Sequence, residues 1–170
     1  MRLRVFFLTL LFLTIIPSRV FAESKYVLPY PSSMPGSFLY KIHLIQEKLE
    51  KYWYFGDYGQ FKYNLKYSDR YLVEAKVLFE YKQYLLGYKA LINSDNYFKK
   101  IKPTLELALR NNKDIKEKSQ LLSEASLKHI EELREIEKKL PETFTWKPEK
   151  SSSTSIPLKK AIENSIKIRE

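Results

Sequence analysis

The sequence predicts an all-α fold, an antiparallel helical bundle of four to five helices after a cleavable signal peptide. Three observations predict it. Between residues 37 and 140 apolar side chains recur at three- and four-residue intervals, the spacing that gathers them on one face of a helix. Short clusters of Gly, Pro, Asn and Asp interrupt these stretches and mark turns. No strand signal competes with the helical pattern.

The first element is an export signal. In "MRLRVFFLTLLFLTIIPSRVFAESK", Arg2 and Arg4 form a basic start, Val5 to Ile16 carry no charge, and Pro17 ends the run. Val20-Phe21-Ala22 then sets modest or small side chains at the −3 and −1 positions of a cleavage point after Ala22. A spanning helix takes about 20 apolar residues, and Arg19 interrupts this run too early. The chain has no cysteine, so it offers no acylation site for a lipoprotein and no disulfide, and its core has to suffice. The expected organisation is residues 1–22 as signal peptide, 23–36 as an extended Pro-rich lead-in, 37–140 as helical bundle, 141–156 as a Ser- and Pro-rich linker, and 157–170 as a short C-terminal amphipathic helix.

Ser37 is a natural N-cap, since its hydroxyl can accept from an unpaired amide of the first turn. From Phe38 to about Phe55 the apolar positions Leu39, Ile42, Ile45, Leu49, Tyr52 and Trp53 form one side and Lys41, Glu47, Lys48, Glu50 and Lys51 the other, which predicts an amphipathic helix with the apolar side inward. Gly56-Asp57 breaks it, with Asp57 as the expected cap of the next. In that second helix Phe61, Leu65, Ser68, Leu72, Ala75 and Phe79 gather in one stripe, the expected core face. The tyrosines drift around the helix: Tyr71 flanks the stripe and is expected to pack on a third helix with its hydroxyl in water, Tyr67 lies further out, and Tyr63 is expected to point outward. Arg70 and Glu74 form an i,i+4 pair.

A third stretch runs from about Gln83 to Asn111, with Leu85, Tyr88, Leu91, Ile92, Phe98, Ile101, Leu105 and Leu109 inward. "NSDN" at 93–96 and Pro103 weaken it, so a kink near Lys100 or two shorter helices are expected. After the turn "NNKD", Ile115 to Leu140 reads as a long periodic helix stopped by Pro141, and Leu158 to Ile168 as a last short one.

"PGSFLYKI" (35–42), Arg70-Tyr71-Leu72-Val73-Glu74-Ala75, His129 with Leu133, Ile136 and Leu140-Pro141-Glu142, and Ala161-Ile162 resemble, in order, the blocks of a bacterial family, the domain of unknown function numbered 5667. The resemblance implies an exported or envelope-associated helical domain, and it supplies no activity and no binding residues. This chain differs from the family pattern in its long serine-rich segment before Ala161 and in its many tyrosines.

Enzyme chemistry has little to stand on. His43 and His129 are the two histidines, and His129 with Glu132 offers at most an i,i+3 pair where a metal site needs three or four converging ligands. The carboxylates of "HIEELREIEKK" alternate with Arg134, Lys138 and Lys139, as on a salt-bridged exposed face. There is no glycine-rich phosphate loop. No catalytic role, cofactor or metal is therefore expected. The chain carries 30 basic and 20 acidic residues, and three of the basic ones lie in residues 1–22, which leaves the remainder at +7. Two functions fit: a non-enzymatic module that contacts an unknown protein partner at the cell surface or envelope, or a basic surface that makes weak contact with an anionic polymer or anionic membrane. The candidate basic residues are Lys62, Lys66, Arg70, Lys99, Lys100, Lys102, Lys159 and Lys160, with Lys167 and Arg169 beyond them. Nucleic acid is not expected as a partner, because an exported protein seldom meets it.

Overall fold

The computed structural model describes residues 25–31, 33–149 and 152–170. Its elements are α1 (Phe38–Trp53), α2 (Gly56–Glu80), α3 (Tyr84–Phe98), α4 (Ile101–Arg110), α5 (Lys116–Lys139), β1 (Thr143–Trp146), β2 (Thr154–Pro157) and α6 (Leu158–Arg169). The helical bundle expected from periodicity is the observed fold. The expected signal peptide and its cleavage point after Ala22 lie outside the described residues.

Ser37 caps α1 as its position demands: its backbone is extended and its Oγ accepts from the Leu39 amide at 3.2 Å. Asp57 behaves differently from expectation. Phe55 occupies the cap position of α2, and the Asp57 carboxylate instead accepts from Asn111 Nδ2 and Lys113 Nζ, each at 2.8 Å, which ties the start of α2 to the turn after α4.

The helices α2 and α3 form an antiparallel hairpin around Lys82, whose backbone is left-handed at φ 58°. The two helices approach closely at Gly87, where a Cβ would lie 2.6 Å from the Phe79 ring. Only glycine lets that ring rest on the α3 backbone. The expected break near Lys100 separates α3 from α4, and Pro103 falls in the first turn of α4, where its missing amide leaves no helical bond unmade. "NSDN" does not weaken α3, because Ser94 and Asp95 are buried and hydrogen-bonded inside the bundle.

The segment 141–156 departs from the expected linker. Its two ends pair as an antiparallel ribbon, Phe144 opposite Ile156 and Trp146 opposite Thr154. Threonine, aromatic and β-branched residues alternate in "TFTW" and "TSI", which suits a pleated ladder, and the serine-rich middle hid that short signal. The ribbon buries Ile156 and delivers α6 onto the bundle, where Leu158 and Ile162 are buried.

Two apolar layers result. One gathers Leu72, Ala75, Phe79, Leu91, Leu133, Ile136 and Ile162; the other gathers Phe61, Leu65, Phe98, Ile101, Leu105, Leu122 and Ala125. The α2 stripe read from the sequence is thus the core face, and all of its six residues are buried.

The first helix is the main correction. Its apolar side faces away from the bundle, with Ile45 60%, Leu49 53% and Trp53 73% exposed, while Glu47 and Glu50 are buried. An apolar stripe packs inward only where a complementary apolar surface awaits it, and the α2 flank that receives α1 is a row of phenols. A clean test follows from the phase. Leu72→Ala and Leu133→Ala should each destabilise the fold by about 2–5 kcal/mol in urea unfolding, whereas Leu49→Ala should stay within about 0.5 kcal/mol. A large loss at Leu49 would place α1 the other way round.

Candidate docking surface

The α1 attachment is built from tyrosines. Tyr63, Tyr67 and Tyr71 stand on the α2 flank and cluster with Tyr54 and with Tyr97 of α3, whose ring stacks on Tyr71 at 5.9 Å between centroids. Into this cluster α1 inserts its two carboxylates. Tyr71 donates to Glu47 Oε2 at 2.6 Å, Tyr97 donates to Glu47 Oε1, and Tyr63 donates to the Glu47 carbonyl at 3.0 Å. Glu50 accepts from Tyr67 at 3.0 Å and from Lys66 Nζ at 2.6 Å. Nearer the start of α1, Tyr40 donates to Glu74 at 3.0 Å.

Burial, and then the carboxylates they face, push the Tyr67, Tyr71 and Tyr97 phenols well above the usual range, so they remain donors. Burial also works against the charge on Glu50, but hydrogen bonds from Lys66, Gln46 and Tyr67 prevail and hold its carboxyl below the usual value. Glu74 moves up, through burial. Two expectations are corrected here. Tyr63 is 4% exposed because α1 covers it, and the Tyr71 hydroxyl reaches a carboxylate, not water.

With both of its acidic side chains turned inward, the charged groups that α1 shows the outside are all cationic. Advancing 100° per residue places Tyr52, Ile45, Phe38, Leu49, Ile42, Trp53 and Leu39 within an arc of about 140°. All seven are exposed. Lys41 and Lys48, also exposed, line one edge of that arc, and the exposed Lys51 lies further round on the same side. From there Lys51 opens onto a groove of about 530 Å³ that Lys99, Lys100, Asn64 and Tyr97 also line. Lys100 Nζ sits 5.0 Å from the Tyr97 ring centre.

Only two of the basic residues singled out from the sequence meet in this place, Lys99 and Lys100. Lys62 is exposed on α2, Lys66 is engaged by Glu50, and Arg70 lies half-buried with its guanidinium 5.9 Å from the Tyr67 ring. Lys102 lines a separate groove beside α5, Lys159 pairs with Glu142 at 2.8 Å, and Lys160 and Lys167 are exposed on α6. Arg169 is the clearest correction among them: it is 2% exposed and belongs to the interior. The expected single basic surface therefore divides among several places. Lys51 and the apolar arc were missed, although glutamates three residues apart in α1 and tyrosines four apart in α2 are the signal of a polar interlock.

The interior polar layer that receives Arg169 lies between the two apolar layers. Arg169 donates from Nη1 to Asp95 Oδ1 at 2.6 Å, from Nη2 to Ser94 Oγ at 2.8 Å, and from Nε to His129 Nδ1 at 3.0 Å. Because Nδ1 accepts, the His129 proton resides on Nε2 and is donated to Asp69 Oδ1 at 2.7 Å. Tyr26 donates to the other Asp69 oxygen. His129 is fully buried and both ring nitrogens are engaged. Burial first, and the nearby Arg169 charge, hold His129 below its ordinary value despite Asp69 and Asp95. Among the described residues no group of three or more His, Cys, Asp or Glu is placed to hold a metal ion, and no helix is long and apolar enough to cross a membrane.

Two predictions test these contacts. Glu47→Ala removes the carboxylate acceptor of the buried Tyr71 phenol and of the half-buried Tyr97 phenol, a loss of about 1–3 kcal/mol; amide exchange should quicken across 38–53 and stay unchanged in α5 and α6, and unaltered exchange in α1 would show that Glu47 does not hold it. His129 is neutral in the fold and protonates near pH 6.5 once unfolded, so its contribution is intact above that pH and stability falls as the pH drops below it. The unfolding free energy from urea titration should decline as the pH falls below 6.5, by at most about 1.4 kcal/mol per unit, and His129→Gln should flatten that decline.

No protein-family model, curated protein or solved structure matches this chain.

Proposed function

We propose that this chain is an exported, non-enzymatic helical module of a bacterial surface or envelope that acts by docking, and that the outward face of α1 is the contact. The observation that carries the reading is the inversion of α1: seven large apolar side chains stand exposed on one arc while the two acidic side chains of the helix are buried. Contiguous apolar surface of that kind marks a contact site on a water-soluble domain. The export part rests on the basic start, the apolar run and Val20-Phe21-Ala22. The non-enzymatic part rests on His129, whose two nitrogens are spent inside the bundle.

A second reading, a basic surface for an anionic polymer or anionic membrane, gains support from the convergence of Lys51, Lys99 and Lys100 on one groove beside α1. Cell fractionation tests the α1 reading. The full chain should accompany the envelope fraction and its mass should start at Glu23, whereas Ile45→Ser combined with Leu49→Ser should release it with the unfolding midpoint unchanged. Retention of that double variant in the envelope fraction would sink the role given to α1.

A further inference from the structure

Resting on the docking reading, we infer that the occupant of the α1 face is an anionic lipid bilayer, with α1 lying in the plane of the headgroups. The chemistry of the helix selects this partner. Interfacial helices combine an apolar face carrying Trp, Phe and Leu with a lysine-bearing flank. Here Phe38, Leu39, Leu49, Tyr52 and Trp53 supply the face and Lys41, Lys48 and Lys51 the flank.

The decisive feature is where the negative charge has gone. Glu47 and Glu50 would repel anionic headgroups if they were exposed, and both are consumed by tyrosines and Lys66 on the side away from the apolar arc. The outward surface of α1 is left with positive charge alone. That positive edge continues across the groove through Lys51 to Lys99 and Lys100, which widens the strip available to lipid phosphates. A second copy of the chain fits less well. Its own α1 would bring another lysine edge and no exposed carboxylate to answer it.

Trp53 reports on the contact directly, because Trp146 is the only other tryptophan and can be replaced by phenylalanine. The Trp146→Phe chain starting at Glu23, the exported form proposed above, is mixed with vesicles of phosphatidylcholine, with or without phosphatidylglycerol, and with lipids brominated along their acyl chains. On phosphatidylglycerol vesicles Trp53 emission should shift to the blue and be quenched by the bromines. Ile45→Ser with Leu49→Ser should abolish both signals. Lys48→Ala with Lys51→Ala should weaken partition roughly twenty-five-fold, at about fivefold per lysine near an anionic surface. Ionic strength of about 1 M, where screening acts within about 3 Å, should act on the parent chain in the same direction.

An equal response on pure phosphatidylcholine would overturn the inference, since the lysine edge would then have no part in selection. So would unchanged Trp53 emission on every vesicle. If unchanged emission comes with a dimer that Leu49→Ser dissociates in sedimentation, the lipid inference fails and α1 docking survives with a second copy as occupant. If it comes with a monomer, loss of the double variant from the envelope fraction still separates failure of the lipid partner from failure of the docking reading.

Discussion

A carboxylate inside a helical bundle has to be answered by donors, and the answer given to Glu47 sets the orientation of everything attached to α1. Two phenols reach its side chain and a third reaches its carbonyl. These donors come from α2 and α3, so a single residue of α1 engages both arms of the central hairpin. Buried phenol–carboxylate contacts are directional, and a rotation of α1 by one residue would strand the donors without acceptors. Apolar packing alone would tolerate such a rotation far better.

A second polar layer does comparable work for the C-terminal helix. Arg169 is the penultimate residue of the chain, and its guanidinium meets groups from α3, α5 and α6 in one place. An unpaired guanidinium at that depth would be strongly unfavourable, so α6 has one seat in which the full set of contacts is made. The two apolar layers on either side supply the burial that stabilises the fold, and the polar layer between them fixes the register. Burial of such charges contributes little net stability beside an apolar replacement; its effect is selection among arrangements of similar apolar content.

Helix positions were legible in the sequence because periodicity, Ser37, Gly56, Pro103 and Pro141 are local signals. The α2 core stripe was legible for the same reason. What a single helix cannot disclose is which surface its neighbour presents. Hydrophobic pattern alone puts Leu49 inside and Glu47 outside, and the phenol row on α2 reverses that. Tyr63 was misplaced by the same omission: it lies off the core stripe, yet a second layer covers it. Arg169 was read as surface because arginine usually is, and its burial depends on Asp95, His129 and Ser94, which are far away in sequence. The β1–β2 ribbon failed to register because each strand is four residues long. The apolar arc of α1 was thus visible as residues, and its direction was not.

Holding a helix by its polar side has an energetic consequence for association. In an ordinary amphipathic helix the apolar face is buried on folding, and the gain of about 25 cal/mol per Å² is already realised in the monomer. For α1 that gain is not realised, because hydrogen bonds to tyrosines perform the attachment and the apolar arc stays in water. The free energy of covering the arc remains available to whatever meets it. The bundle beneath also keeps α1 helical before any contact is made, so association carries no cost of helix nucleation. Rigid presentation and unspent apolar area reinforce each other, which is the physical reason to place the function of this chain on a surface and not in a cavity.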